Sequence, residues 1–190
     1  MKTIIKCKKS FLTAFLLIGT LIIAVNELSP EDLADFNIAL YYEKTQIPLD
    51  GLVRLDGTPY DSGELRGKYA LVNFWITTCP YCRAEKASIE RLYKEHGSGS
   101  FTVLAVSLGE EPETVRRYMD ENRYGFPVAV DREGRLRDEY SPRVPTSYLL
   151  DPEGNILARI NGDREWDGER ALRLLGFLAA SGNGRQGVEE

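Results

Sequence analysis

At 190 residues, 43% of them hydrophobic, the chain is long enough for one domain with a sizeable core and too short for two. Three cysteines exclude a disulfide-stapled scaffold. A net charge of −5 excludes a basic nucleic-acid-binding surface and is accounted for by a well-solvated acidic exterior.

Residues 1–26 read as an export segment. Lys2, Lys6, Lys8 and Lys9 are followed by an uncharged, mostly apolar run from Phe11 to Val25. That run is at the upper limit of a signal-peptide core and just short of an ordinary membrane span. Ile22-Ile23-Ala24 is a poor cleavage site, and Cys7 precedes the run, so it is not placed as a lipid-bearing cysteine. The expectation is an uncleaved N-terminal signal-anchor, lysines on the cytoplasmic side and the remainder extracytoplasmic. The alternative is a cleaved signal peptide and a secreted or periplasmic product. Thiols on that side face an oxidising compartment and need a supply of electrons to stay reduced.

Residues 27–47 are expected to form a helical linker. Ser29 is placed as N-cap, Pro30 at the first helical position and Glu31 and Asp32 in the first turn of a helix reaching about Glu43. A domain spans 48–181. It opens with a small hairpin, Leu52 to Leu55 and Thr58 to Tyr60 around Asp56-Gly57. Tyr69 to Trp75 is a nearly continuous apolar run, the pattern of a strand covered on both faces. A helix over Pro80 to His96, a buried strand over Phe101 to Leu108 and a helix from Glu111-Pro112 to about Glu121 follow. A strand over Pro127 to Val130 and a short helix near Leu136 to Tyr140 come next. Thr146 to Leu150 and Ile156 to Ile160 are strands joined by the turn Asp151-Pro152-Glu153-Gly154-Asn155. Asp167 to Ala180 is an amphipathic helix and 182–190 a frayed tail. Strands alternating with helices predict an α/β sheet with helices on both faces.

The chemistry centres on Cys79-Pro80-Tyr81-Cys82, where the first buried strand meets the first long helix. Cys79 is placed at the N-cap, and the free N–H groups and partial positive charge of a helix start favour a thiolate, the reactive form. Cys79, the more exposed, is the expected attacker; Cys82, under the helix, is the expected resolver. A half zinc site is the structural alternative, but there is no second cysteine pair and His96 is the single histidine, so no metal is expected. Cys82, Glu85, Ile89, Leu92 and His96 fall on one helical stripe. Glu85 is then an inward-facing acid one turn from Cys82, able to exchange protons with it; alternatively it sits at the stripe's edge and reaches solvent or an Arg. His96 itself is read as a helix-end residue, and Trp166 and Tyr148 as core or rim packing. Pro145, in Val144-Pro145-Thr146, precedes a strand, where proline is tolerated; its peptide could be cis, and composition does not single it out from the other eight prolines.

Asn73-Phe74-Trp75, Cys79-Pro80-Tyr81-Cys82, Val144-Pro145-Thr146 and Asp151-Pro152-Glu153-Gly154-Asn155 together resemble the thioredoxin superfamily, and more narrowly its membrane-tethered TlpA, ResA and DsbE group. The resemblance spans roughly Leu49 to Ala180. It implies a thioredoxin-like fold, with a central mixed sheet flanked by helices and the group's extra helix–strand insertion at about Glu111 to Asp131. It implies that Pro145 is cis and lies against the active-site pair, and that Val144 offers backbone contacts to a substrate strand. Glu85 matches the group's acid after the second cysteine, while Asn73 stands where thioredoxin carries a buried Asp. Thr78 departs from the Trp that usually precedes the first cysteine, and the Pro80-Tyr81 pair is more familiar from glutaredoxins. Both act on thiol pKa and on the shape of substrate accepted, and both weigh against carrying over the group's usual substrate, apocytochrome c.

The function these features predict is an extracytoplasmic thiol–disulfide oxidoreductase, a reductase of protein disulfides supplied by a membrane electron donor, with cytochrome c maturation as the process the resemblance implies. No cofactor beyond the dithiol is expected. A peroxiredoxin-type thiol peroxidase is the alternative enzyme, although Thr77 and Thr78 stand at the wrong spacing before Cys79. A non-catalytic module holding a peptide or metal ion in the same groove is the alternative of another class, and the intact cysteine pair argues against it.

Overall fold

The computed structural model describes residues 37–184. They form one seven-stranded mixed sheet in the order β1-β7-β6-β3-β4-β5-β2. The strands are β1 (Ile38–Leu40), β2 (Val53–Arg54), β3 (Tyr69–Trp75), β4 (Phe101–Leu108), β5 (Val128–Asp131), β6 (Thr146–Leu150) and β7 (Ile156–Asn161). The α-helices are α1 (Pro80–His96), α2 (Pro112–Asn122), α3 (Arg137–Tyr140) and α4 (Glu169–Gly184).

β3 holds the centre, parallel to β4 on one side and antiparallel to β6 on the other. Its apolar run has no polar face because both faces are covered. Successive side chains alternate between two cores. Leu71 and Trp75 join Ile89 and Leu92 of α1, Val115 and Met119 of α2 and Leu174 and Leu178 of α4. Ala70, Val72 and Phe74 join Leu52, Leu104, Val106, Leu136 and Tyr148 on the opposite face. The expected insertion is present as α2 and β5, the latter extending the sheet parallel to β4. The turn between β6 and β7 closes with Gly154 at φ 87°, a conformation that favours glycine.

The N-terminal helical linker is corrected where it can be seen. Residues 38–40 form an edge strand, with Ile38 opposite Ile160 and Leu40 opposite Ala158. Asn37, at φ 46°, is left-handed and interrupts any helix arriving from Ser29. The free edge of β7 offers a row of unpaired backbone groups, and pairing with it outweighs the local helix signals. Residues 29–36 and the export segment 1–26 lie outside the described residues. Among the described residues no helix is long and apolar enough to cross a membrane. At the other end α4 continues to Gly184, past the expected start of the tail at 182; the rest of the tail, 185–190, lies outside the described residues. The small hairpin at 52–60 is present, its arms joined by Tyr60 N–H to Leu52 O at 2.9 Å and Arg54 N–H to Thr58 O at 2.7 Å, and its first arm is β2, which pairs with β5 as the opposite edge.

Candidate active site

β3 delivers the chain at Trp75 to a short loop, and Cys79 caps α1 from an extended conformation, φ −78° and ψ 117°. Its Sγ accepts the Cys82 N–H at 3.3 Å, satisfying one of the free donors at the helix start. Cys79 is half-buried and Cys82 fully buried. Burial pushes the Cys82 thiol up to about 12, with the hydrogen bond to Cys79 acting in the same direction. Opposite the pair, the Val144–Pro145 peptide is cis, and the Cys79 thiol lies 3.9 Å from the Val144 carbonyl oxygen. Pro80 and Tyr81 project outward, Tyr81 with 66% of its surface exposed, beside an exposed Thr78.

The loop before Cys79 is anchored by a residue the sequence reading did not single out. Thr77 donates its backbone N–H to Glu110 Oε2 at 2.9 Å and its hydroxyl to Oε1 at 2.6 Å. Ser107 donates to Oε2 at 2.6 Å. One carboxylate, in the turn after β4, therefore fixes the chain two residues before the half-buried Cys79 thiol. Nothing in the local pattern of Leu108-Gly109-Glu110 marks it, because its partner lies 33 positions away.

Beneath the thiols lies a buried polar cluster. Glu85 is 1% exposed and accepts from Asn73 Nδ2 at 2.8 Å, Trp166 Nε1 at 3.0 Å and Lys86 Nζ at 3.5 Å. It is an inward acid, as the stripe predicts, and not an edge residue reaching solvent or an Arg. Its carboxylate takes its hydrogen bonds from these three groups and none from Cys82. Asn73 also donates to Ser147 Oγ at 2.8 Å, while its Oδ1 accepts from Lys86 Nζ at 2.6 Å. Lys86 is wholly buried, its ammonium 4.6 Å from the centre of the Trp75 ring. Burial pulls Lys86 down, opposed by the charges of Glu85, Cys82 and Cys79. Lys86 was missed, although a lysine four residues after Cys82 on an inward stripe was the available signal. The stripe itself ends at Leu92, and His96 is exposed at the helix end. Trp166 is core, as expected, and is also a hydrogen-bond donor to the cluster. Among the described residues no group of three His, Cys, Asp or Glu side chains is placed to hold a metal ion.

This arrangement can present one accessible sulfur, keep a second sulfur protonated below it, and hold an ionic cluster out of water nearby. Residues 36–174 match the Redoxin family. The chain is 35% identical over 104 residues to thiol-disulfide oxidoreductase ResA of Halalkalibacterium halodurans, covering 54% of this chain and 59% of that one. It is 34% identical over 117 residues to the thioredoxin-like protein YneN of Bacillus subtilis, covering 60% and 68%. The chain spans less than two thirds of the length of the ResA relatives it matches. Among solved structures, a thiol:disulfide interchange protein of the thioredoxin family from Chlorobium tepidum superposes with a TM-score of 0.59 at 28% identity, covering 72% of this chain and 99% of that one.

Proposed function

Because this chain belongs to the Redoxin family, within the thioredoxin superfamily, we propose that it is a thiol–disulfide oxidoreductase working through Cys79 and Cys82. One observation carries the reading. The two thiols are split between an accessible sulfur at a helix N-terminus, which accepts the Cys82 N–H, and a buried sulfur held protonated. Such a site separates attack from release. The Cys79 thiolate attacks one sulfur of a substrate disulfide; a Cys79–substrate bond forms and the other substrate sulfur departs as a thiolate that takes up a proton. Cys82 then loses its proton and attacks Cys79 Sγ. The Cys79–Cys82 bond forms, the mixed disulfide breaks and the second substrate sulfur leaves as a thiol. Two electrons pass from the dithiol to the substrate.

The Val144 carbonyl beside Cys79 and the exposed Pro80 and Tyr81 are the proposed substrate contacts, with Pro145 forming the wall opposite the pair. We assign the reductive direction and an extracytoplasmic location, tethered by the apolar run after the N-terminal lysines and fed by a membrane electron donor. The lysine–apolar pattern of 1–26 supports the location. Cytochrome c maturation is the process that the resemblance to the TlpA, ResA and DsbE group implies, with Thr78 and Pro80-Tyr81 as the residues that would redirect it.

The test is covalent trapping. Cys82→Ser should accumulate mixed disulfides through Cys79 that thiol reductant releases, and the Cys79→Ser/Cys82→Ser pair should trap none. A wild-type protein that turns over neither protein disulfides nor an aromatic model disulfide, with no trapped adduct, would sink the reading.

A further inference from the structure

Release of substrate requires an anion on Cys82, a sulfur with no exposed surface. Water cannot solvate that charge, so neighbouring groups must. Glu85 is the wrong sign, and its oxygens are engaged by Asn73, Trp166 and Lys86. Lys86 is the one buried lysine or arginine among the described residues. It lies one helical turn after Cys82, four positions on, where side chains share a face. Asn73 Oδ1 and the Trp75 ring hold its ammonium in the layer under the thiols.

We propose that Lys86 is the electrostatic partner of Cys82, supplying the buried positive charge that lets the resolving thiolate form. The proposal rests on the oxidoreductase reading and adds a residue to it. Lys86 stays protonated throughout; the Cys82 proton ends on the departing substrate sulfur. Before release, Glu85 balances the ammonium, and when Cys82 ionises the ammonium serves both anions. The interaction is reciprocal: Lys86 favours the Cys82 thiolate and the Cys82 charge favours protonated Lys86. The groups facing this pair are Cys79 at the cap of α1, Glu85 on α1, Asn73 and Trp75 on β3, Ser147 on β6 through Asn73, and Trp166 through Glu85. Beyond Trp75 lies Tyr118 with Arg83 over its ring.

The test compares capture with release in the full chain, using an aromatic model disulfide. Lys86→Met should slow Cys82-dependent release at least about tenfold at pH 7 and move its pH midpoint upward by about one unit, since each unit is a tenfold change. Alkylation of Cys79 should change by a smaller factor. Because Lys86→Met strands the Glu85 charge, Glu85→Gln/Lys86→Met is made alongside it and should titrate upward of Glu85→Gln alone, the comparison that isolates the ammonium. A third measurement needs neither variant. The Lys86 ε-carbon resonance of the reduced wild type should follow the thiol titration, and that inflection should vanish in Cys82→Ser. An unmoved pH midpoint in the variants, or an identical Lys86 titration with and without Cys82, overturns the proposal. If the wild type itself fails to turn over the model disulfide, the oxidoreductase reading falls first; normal wild-type turnover with unaltered variants removes Lys86 alone.

Discussion

The Trp166 indole N–H donates to Glu85 Oε2 across 3.0 Å, joining residues 81 positions apart in the chain. The contact ties the segment leading into α4 to the polar cluster beneath the thiols. Ser88 reinforces it, its hydroxyl accepting the Trp166 backbone N–H at 3.0 Å and donating to the Glu85 carbonyl at 2.8 Å. Trp166→Phe removes the donor while keeping an aromatic ring in a fully buried site. It should cost about 2 kcal/mol, the range for a hydrogen bond to a charged group. Urea unfolding would read this as a lower midpoint with an unchanged slope; an unmoved midpoint would mean the indole N–H is energetically idle.

The two thiols should differ greatly in reactivity. With Cys82 pushed up to about 12 by burial, about one molecule in 100,000 carries its thiolate at pH 7. Iodoacetamide added to the reduced protein should label Cys79 alone. Labelling of Cys82 should require unfolding or strongly alkaline pH. Peptide mass mapping after a timed pulse checks this, and equal labelling of both sulfurs would contradict the buried, protonated resolver.

Alkaline stability follows from the same cause. Burial raises Cys82 from 9.0 to about 12 and Tyr148 from 10.0 to about 12. Groups raised on folding keep their full contribution below the unfolded values and lose it as pH climbs through the folded ones. The reduced protein should therefore lose stability between about pH 9 and 12. Cys82→Ala should lose less over that window. A parallel decline in both proteins would take Cys82 out of the alkaline transition.

Glu90 predicts the acid side. Burial works against its charge, but the Gly125 N–H at 2.8 Å, Lys94 at 2.9 Å and the Phe126 N–H at 3.2 Å outweigh it, and its pKa is lowered. A carboxylate lowered on folding contributes above its unfolded pKa and is lost as pH falls through the folded one. Glu90→Gln should cost about 1–3 kcal/mol at pH 7 and flatten the acid loss. Identical acid curves for variant and wild type would refute this.

Glu110 should govern the order of the loop before Cys79, because it accepts both the N–H and the hydroxyl of Thr77. In Glu110→Ala the Thr77 amide should exchange with deuterium at least about tenfold faster, corresponding to a loss of about 1.4 kcal/mol in local opening. The β3 amides should keep their protection. Unchanged Thr77 exchange would show that the loop holds its shape without the carboxylate.

Much of this protein could be read along the chain because the deciding interactions are local or periodic. Tyr69 to Trp75, Pro80 to His96 and Phe101 to Leu108 begin and end where apolar patterning, the proline at a helix start and the polar breaks between them place the boundaries. The Cys-x-x-Cys spacing puts one sulfur at the cap and one beneath it through helix geometry alone. Residues 38–40 form a strand in place of the expected helix because the free edge of β7, about 120 residues later, outcompetes a local helix signal.

By itself, the sequence determined the order of elements from β3 to α4, the strand-to-helix placement of the thiols and an acid on their inward side, all set by repeat distances of one strand or one helix. Only the tertiary structure decided the company those residues keep. Trp166 reaches Glu85, Glu110 holds Thr77, Val144 faces Cys79, and Lys86 is sealed beneath the site with Asn73. Each of these pairings crosses from one element or loop to another. A buried charge or donor takes whichever partner the fold brings within hydrogen-bond reach, and one-dimensional spacing does not encode that choice.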